Sequence, residues 1–388
     1  MKHRLLIITF VFILVGCGVR SASLSDRVSS SSLLNKNQPN ANRIINYWPL
    51  SDSLGFVQTD TGLWFVNSVQ GTWNSLSLPN SLKSEAIIGV EPIDSQHIWI
   101  VSSTISSSNP WDYTVFFTTD GGLSWATSSL ASNMENWLAY PSSNINIEFV
   151  DNQYGWVAVR SDMSSNFSQS QLFRTSDGGK NWKIESIPSG GEYLDFVDSN
   201  TGWTTNVPAQ AVYITHNGGE SWKSVDISLS IPDDGRVYYS LPYFNDNIGY
   251  LYANVVTSND NFIVIFKSQD NNGDIWKEVS RISNNDGISV TSILFSDKDW
   301  NAFLADGRII SSVDDGLNWQ YQPRSIEHFA ITQLKYFAKQ KVWGTIQSQD
   351  CNQPKKDCTQ RSDIYESIDG GSTWQPIALY DTVSEYAK

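Results

Sequence analysis

The sequence predicts an all-β chain, a seven-bladed β-propeller of four-stranded antiparallel blades, and two repeats running in phase predict it. The first is an eight-residue phrase ending in tryptophan: TTDGGLSW closes at Trp125, TSDGGKNW at Trp182, THNGGESW at Trp222, SVDDGLNW at Trp319 and SIDGGSTW at Trp374. SQDNNGDIW, one residue longer, closes at Trp276, and a worn copy, NSVQGTW, closes at Trp73. The second repeat is a turn followed by an aromatic near the start of a strand. It puts Phe56, Trp99, Trp156, Trp203, Tyr250, Trp300 and Trp343 at equivalent positions. Both series count to seven, and copies 40 to 57 residues apart mark a repeat architecture.

The chemistry of the phrase is that of a hairpin turn. A β-rich run precedes the copies, as in TVFFTT, QLFRTS, AVYITH, IVIFKS and GRIISS. A short carboxylate accepts hydrogen bonds from the turn's own amides, and glycine supplies positive φ. The closing Trp begins the return strand and buries its ring between neighbouring sheets. Each unit therefore reads strand, turn, aromatic strand, loop, strand, phrase, strand, which is one propeller blade.

In chain order, residues 1–16 carry Lys2, His3 and Arg4 and then an apolar run from Leu5 to Val15. The run falls short of the ~18 residues that span a bilayer and reads as a secretory signal. Leu14-Val15-Gly16-Cys17 is similar to a bacterial lipobox, and that resemblance implies a lipid on Cys17. An ordinary signal with an incidental cysteine is the alternative. Residues 17–42, rich in Ser and Asn, read as a tether that holds the body roughly 25–30 Å from its anchor.

The propeller is expected over 43–379, with blades at about 43–79, 84–131, 144–188, 191–228, 236–282, 287–323 and 330–379, and a tail at 380–388. In blade 1 the inner strands are expected at 54–59 and 62–68. In blade 3 the strands are expected at 145–150, 155–160, 171–175 and 182–186. Sixteen Trp, sixteen Tyr and seventeen Phe supply the wedges between blades.

A net charge of −14 without Lys/Arg clusters excludes nucleic acid as a partner and the docking of the whole body on anionic lipid. Membrane contact is expected through the N-terminal lipid only, and the protein as a monomer. Cys351 and Cys358 share the long loop of blade 7 and read as a disulfide in an exported protein. Two free thiols or a metal site are the alternatives, though no His lies near that loop.

The four histidines are scattered, and no zinc motif, nucleophile elbow, P-loop or dinucleotide fingerprint occurs. The stretch from Asp270 to Asp274 suggests a calcium loop, but its twelfth position is Arg281 where a bidentate Glu is needed. No catalytic residue, metal or cofactor is therefore expected. Asp120, Asp177, Asp314 and Asp369 are read as turn-formers, with paired acids for hydrolysis as the alternative.

The phrase S/T-x-D-x-G-x-x-W resembles the sialidase-type Asp-box, or BNR repeat. Sialidases bind their substrate carboxylate with three arginines and use a Tyr–Glu pair; the arginines of this chain fall in no pattern of that kind. Combined with D-x-x-x-G-W in seven units and the lipobox, the chain is similar to the photosystem II assembly/stability factor-like family. That resemblance implies a seven-bladed propeller over 43–379 and an assembly role on protein partners, with the turns on the face opposite the ligand site. The expectation is an extracytoplasmic, membrane-anchored, non-enzymatic binding or assembly scaffold. It would sit on the bacterial cell membrane, or on the outer membrane of a two-membrane host. A carbohydrate-binding or glycoside-hydrolase propeller is the alternative, and a glycosidase needs two carboxylates ~5–10 Å apart. Long connections carry function on rigid scaffolds, and Trp, Tyr and Arg anchor interfaces. Trp111, Tyr113, Trp137, Tyr140, Arg160 and Phe167 are therefore the candidate partner-binding residues. Packing of Trp137 and Tyr140 over the blade 2–blade 3 seam is the alternative for that pair.

Overall fold

The computed structural model describes residues 44–383 apart from 52, 83–85, 105–111, 131–144, 163–167, 189–190, 192, 207–209, 246–247, 284–286, 297–298, 323–329, 339–340, 352–357 and 379–380. Its regular elements are strands, gathered into seven antiparallel blades of a β-propeller. Blade 3 shows the plan. Ile145–Phe149, Gly155–Asp162, Ser168–Thr175 and Lys183–Glu185 follow one another and pair in that order, from first strand to fourth. Two compact units divide the chain, one of blades 2 to 5 over Ser77–Gly287 and one of blades 1, 6 and 7.

Blades cover each other on both faces, so the second strands do not alternate. Trp156, Val157, Ala158 and Val159 are all buried in succession. The fourth strands read differently, since Gln320–Gln322 is exposed at every position. Within Ser77–Gly287 the apolar cores lie between successive blades. Trp99, Val115, Phe149 and Phe173 join blades 2 and 3, and Trp156, Leu172, Leu194 and Phe196 join blades 3 and 4. Trp203, Ile214, Leu251 and Phe266 join blades 4 and 5. In the other unit Tyr47, Val57, Trp343 and Ile364 join blades 7 and 1. There the Trp343 ring lies over Gly55, where a Cβ would come 2.6 Å from the indole, so only glycine admits it.

Two blades exceed the four-strand plan. In blade 5 the first strand is split into Arg236–Tyr239 and Tyr243–Asn245, and Asp226–Ile227 adds in parallel to the outer strand Ile275–Ser283. In blade 7 Lys341–Cys351 and Cys358–Ser367 form a hairpin longer than the blade, and Asp381–Val383 pairs with its overhanging edge. The segment 380–388, expected as a tail, thus supplies a strand, because a long third strand leaves a free ladder for it. Cys351 and Cys358 stand opposite each other in register at the hairpin's end rather than in an irregular loop.

Candidate functional site

The repeated turns are self-contained hydrogen-bond circuits. In blade 3, Thr175 Oγ1 donates to Asp177 Oδ1 at 2.9 Å and accepts from Gly179 N at 2.9 Å. Asp177 Oδ1 also accepts from Asn181 N, and Asp177 Oδ2 accepts from Asn181 Nδ2 at 2.7 Å. Ser124, Asn318 and Thr373 serve Asp120, Asp314 and Asp369 in the same way. In blade 4 the roles reverse, with Asn217 Nδ2 donating to Ser221 Oγ. Both glycines of the phrase have positive φ, 77° at Gly178 and 89° at Gly179, and Asp315 takes the first glycine's place at 58°. Sequence reasoning passed over the residue before the closing Trp as variable. Its signal was there: Ser, Asn, Ser, Asn and Thr, always a short hydrogen-bonding side chain.

These bonds set the electrostatics of the turn. The Ser124 hydroxyl and amide and the Thr118 hydroxyl pull the Asp120 carboxyl down to about 2. At Asp177 and Asp369 burial works against the charge, and the hydrogen bonds outweigh it and lower both groups. Carboxylates so engaged are structural acceptors. The turns between first and second strands repeat the device. Asp151 Oδ1 accepts from Gln153 N and Tyr154 N, each at 2.7 Å, and Gly178 N bonds Gln153 O, so both sets of turns share one end of the blade.

The seams within Ser77–Gly287 each join three rings. Phe149 stacks on Trp99 at 3.8 Å and meets Trp182 edge-on, and Phe196 does the same between Trp156 and Trp222. Trp99 Nε1 reaches forward to Gly178 O and Trp156 Nε1 to Gly218 O, both at 2.9 Å. The closing rings reach back: Trp125 Nε1 to Ser77 O, Trp182 Nε1 to Ser128 Oγ, Trp222 Nε1 to Ser186 O. The deep wedges are the second-strand tryptophans, Trp99 and Trp156 being at most 1 % exposed. Trp125, Trp182, Trp222, Trp319 and Trp374 are half-buried covers, and Trp73 and Trp276 alone among the closing rings are buried.

One alignment of the sequence is corrected. Trp300 pairs with Ser312, the place of Gly155 opposite Thr175, while Asn301 pairs with Ser311 as Trp156 does with Arg174. The hairpin of blade 6 is one residue shorter, which shifts its aromatic off the wedge position. Asn301 Nδ2 makes the forward bond instead, to Gly370 O at 3.1 Å.

Of the expected partner-binding residues, Tyr113 is fully buried in the blade 2–blade 3 core, and burial pushes its phenol up to about 12. It packs there because position 113 continues the inward series of Val115 and Phe117, so it presents nothing to a partner. Trp111, Trp137, Tyr140 and Phe167, the side chain of Arg160, and Cys17 lie outside the described residues. Among the described residues no group of three or more His, Cys, Asp or Glu is placed to hold a metal, and no helix is long and apolar enough to cross a membrane. An open depression beside the blade 4 turn is lined by His216, Asn217, Ser221, Trp222 and Lys223. There His216 Nε2 and Lys223 Nζ both lie 3.0 Å from Asp274 Oδ1 of blade 5, so both side chains are already engaged.

No family model and no curated protein matches the chain. Among solved structures it is similar to YCF48 bound to a D1 peptide, at 17 % identity over 78 % of this chain and 83 % of that one, with a TM-score of 0.47. YCF48 from Cyanidioschyzon merolae gives 17 % over 74 % and 83 %, again at 0.47. A GH74 xyloglucanase from Xanthomonas campestris gives 11 % over 86 % and 67 %, also at 0.47. The chain is thus similar to YCF48 and to a xyloglucanase, and its own strand pairing makes it a seven-bladed β-propeller.

Proposed function

We propose that the protein is an exported, lipid-anchored propeller acting as a non-enzymatic binding or assembly scaffold for proteins at the cell envelope. The observation that carries the reading is the bonding of the turn carboxylates. Asp120, Asp177, Asp314 and Asp369 have both oxygens engaged by their own turns, which leaves them as frame rather than chemistry. The opposite ends of the blades carry the long connections, where a rigid scaffold presents its ligand contacts. YCF48 is described as bound to a D1 peptide; the matching expectation here is an extracytoplasmic protein segment. The tether 17–42 would hold the blades near a membrane surface, with Cys17 as the anchor.

The test is cross-linking on intact cells followed by purification from solubilised membranes. The expected result is a defined envelope protein cross-linked to the wild type and lost when Trp111 and Trp137 are both replaced by Ala. Retention on immobilised polysaccharide, or release of reducing sugar, would move the assignment to the carbohydrate-active alternative. The anchor is tested separately, since Cys17→Ser should abolish lipid labelling and free the protein from membranes.

A further inference from the structure

The turns between third and fourth strands carry more than their hydrogen bonds. The five most exposed aliphatic side chains among the described residues all stand in them: Leu123, Val69, Leu317, Val313 and Ile368, from 89 % down to 56 % exposed. A lone exposed aliphatic is ordinary, whereas a set confined to one kind of turn is not. The turn itself does not demand them, because the same places read Ser176 and Lys180 in blade 3 and His216 and Glu220 in blade 4.

Four of the five belong to one compact unit, on blades 6, 7 and 1. Bonds hold these three turns side by side. Asn301 Nδ2 of blade 6 donates to Gly370 O, two residues past Ile368. Ser68 Oγ, next to Val69, donates to Glu366 Oε2 of blade 7 at 3.0 Å. Val69, Val313, Leu317 and Ile368 therefore project from a fixed arc at the turn end of the blades.

The chemistry of the arc selects its partner. Its tips are aliphatic and stand on separate turns, which a fluid apolar phase admits one by one and a folded protein would have to match together. The turns hold Asp314, Asp315 and Asp369 and neither Lys nor Arg. Beside the first-to-second-strand turns of the same blades, Lys298, Lys339 and Lys341 are balanced by Asp52, Asp297 and Asp299. The end is thus net negative, which disfavours anionic headgroups and suits a zwitterionic surface. The N-terminus fits as well. Ile44 opens blade 1's first strand away from its turn, since Pro49 and Gly55 form the pair nearest that turn. Six residues put Ile44 about 20 Å from the turn end, inside the roughly 25–30 Å that 17–42 spans.

We propose that Val69, Val313, Leu317 and Ile368 form a second membrane contact, dipping into a zwitterionic lipid surface and turning the long connections of the blades away from it. This rests on the membrane-anchored reading and adds an orientation to it.

Hydroxyl-radical footprinting of the full chain on phosphatidylcholine vesicles, read by mass spectrometry, tests this. Val313, Leu317 and Ile368 should be oxidised less than the less exposed Val256 and Ile45. Vesicle-bound chain whose tips are oxidised in proportion to their exposure overturns the proposal and leaves the anchor standing. A Cys17→Ser chain separates the two readings, since tips protected by vesicles there uphold the contact whether or not the wild type carries a lipid. In that background Leu317→Ser should lower vesicle retention roughly ten-fold, and unchanged retention counts against the contact. Protection that grows with protein concentration in the absence of vesicles would assign the arc to a second copy and overturn the proposal. Retention that strengthens as phosphatidylserine replaces phosphatidylcholine would overturn it too.

Discussion

Asn301 Nδ2 donates to the carbonyl of Gly370, 69 residues further along the chain, and so does for the blade 6–blade 7 seam what an indole does for two others. The ring's apolar area is gone from that position, but the directional bond is kept, with Ser311 Oγ donating to Asn301 Oδ1 behind it. Asn301→Ala should therefore cost about 1–2 kcal/mol, the loss of one half-buried hydrogen bond that leaves a carbonyl unanswered. Urea unfolding of the two proteins checks it, and coincident curves would show that the bond contributes nothing.

The two tryptophan series should separate by depth. Trp156→Ala empties a fully buried site and should cost about 3–5 kcal/mol, whereas Trp182→Ala, at a half-buried cover, should cost roughly half as much. Equal losses would mean that the covers, not the wedges, dominate the seams.

Two sets of carboxylates should give opposite pH dependences. The turn aspartates are lowered in the fold, so their stabilisation is complete above the usual carboxylate value near 3.8 and is lost as pH falls below it, at Asp120 toward about 2. Asp195 is raised by burial to about 8, so its contribution is complete below 3.8 and is lost as pH climbs through about 8. Asp195→Asn should flatten the alkaline limb of a thermal-stability profile and leave the acid limb intact. Asp177→Asn should do neither harm nor good beyond a small shift, since Asn217 fills that place in blade 4.

The cysteines give a fourth expectation. Residues directly opposite in an antiparallel ladder have Cα atoms about 4.5–5.5 Å apart, within the span a disulfide accepts. Register puts Cys351 and Cys358 in that relation. Alkylation of the unreduced exported protein should leave both unmodified. Two labelled thiols would refute the bridge.

Most of the blade plan was legible because it is written twice per unit, in the turn phrase and in the aromatic strand. The phrase needs Gly178 and Gly179 for their φ and Asp177 for its oxygens, so its spelling survives. The wedge position is less tightly spelled, since any side chain that reaches the next turn will serve. That is why Trp300 was assigned to a place that Asn301 holds. Tyr113 was misjudged for a related reason. It follows a long loop in sequence, but strand parity, not proximity to the loop, decides which way it faces. The inner polar positions Glu148, Asp195 and Lys335 gave no signal at all. Their meaning depends on the adjacent blade: Lys335 Nζ reaches Asn46, 289 positions away in sequence, at 2.9 Å.

The forward reach of Trp99, Trp156 and Asn301 bears on how the chain is made. Each donor precedes its acceptor by a whole blade, so a blade just completed still shows a bare ring or amide at its trailing edge. As synthesis proceeds from the N-terminus, that edge is sealed only when the next ~40 residues have paired and brought their turn into place. Blades 2, 3 and 6 therefore each carry a sticky side until the next blade has formed. The longest exposure falls at Trp99, whose acceptor lies 79 residues downstream. Stalling the chain between residues 130 and 178 would leave a large aromatic surface uncovered, the condition under which nascent chains associate wrongly.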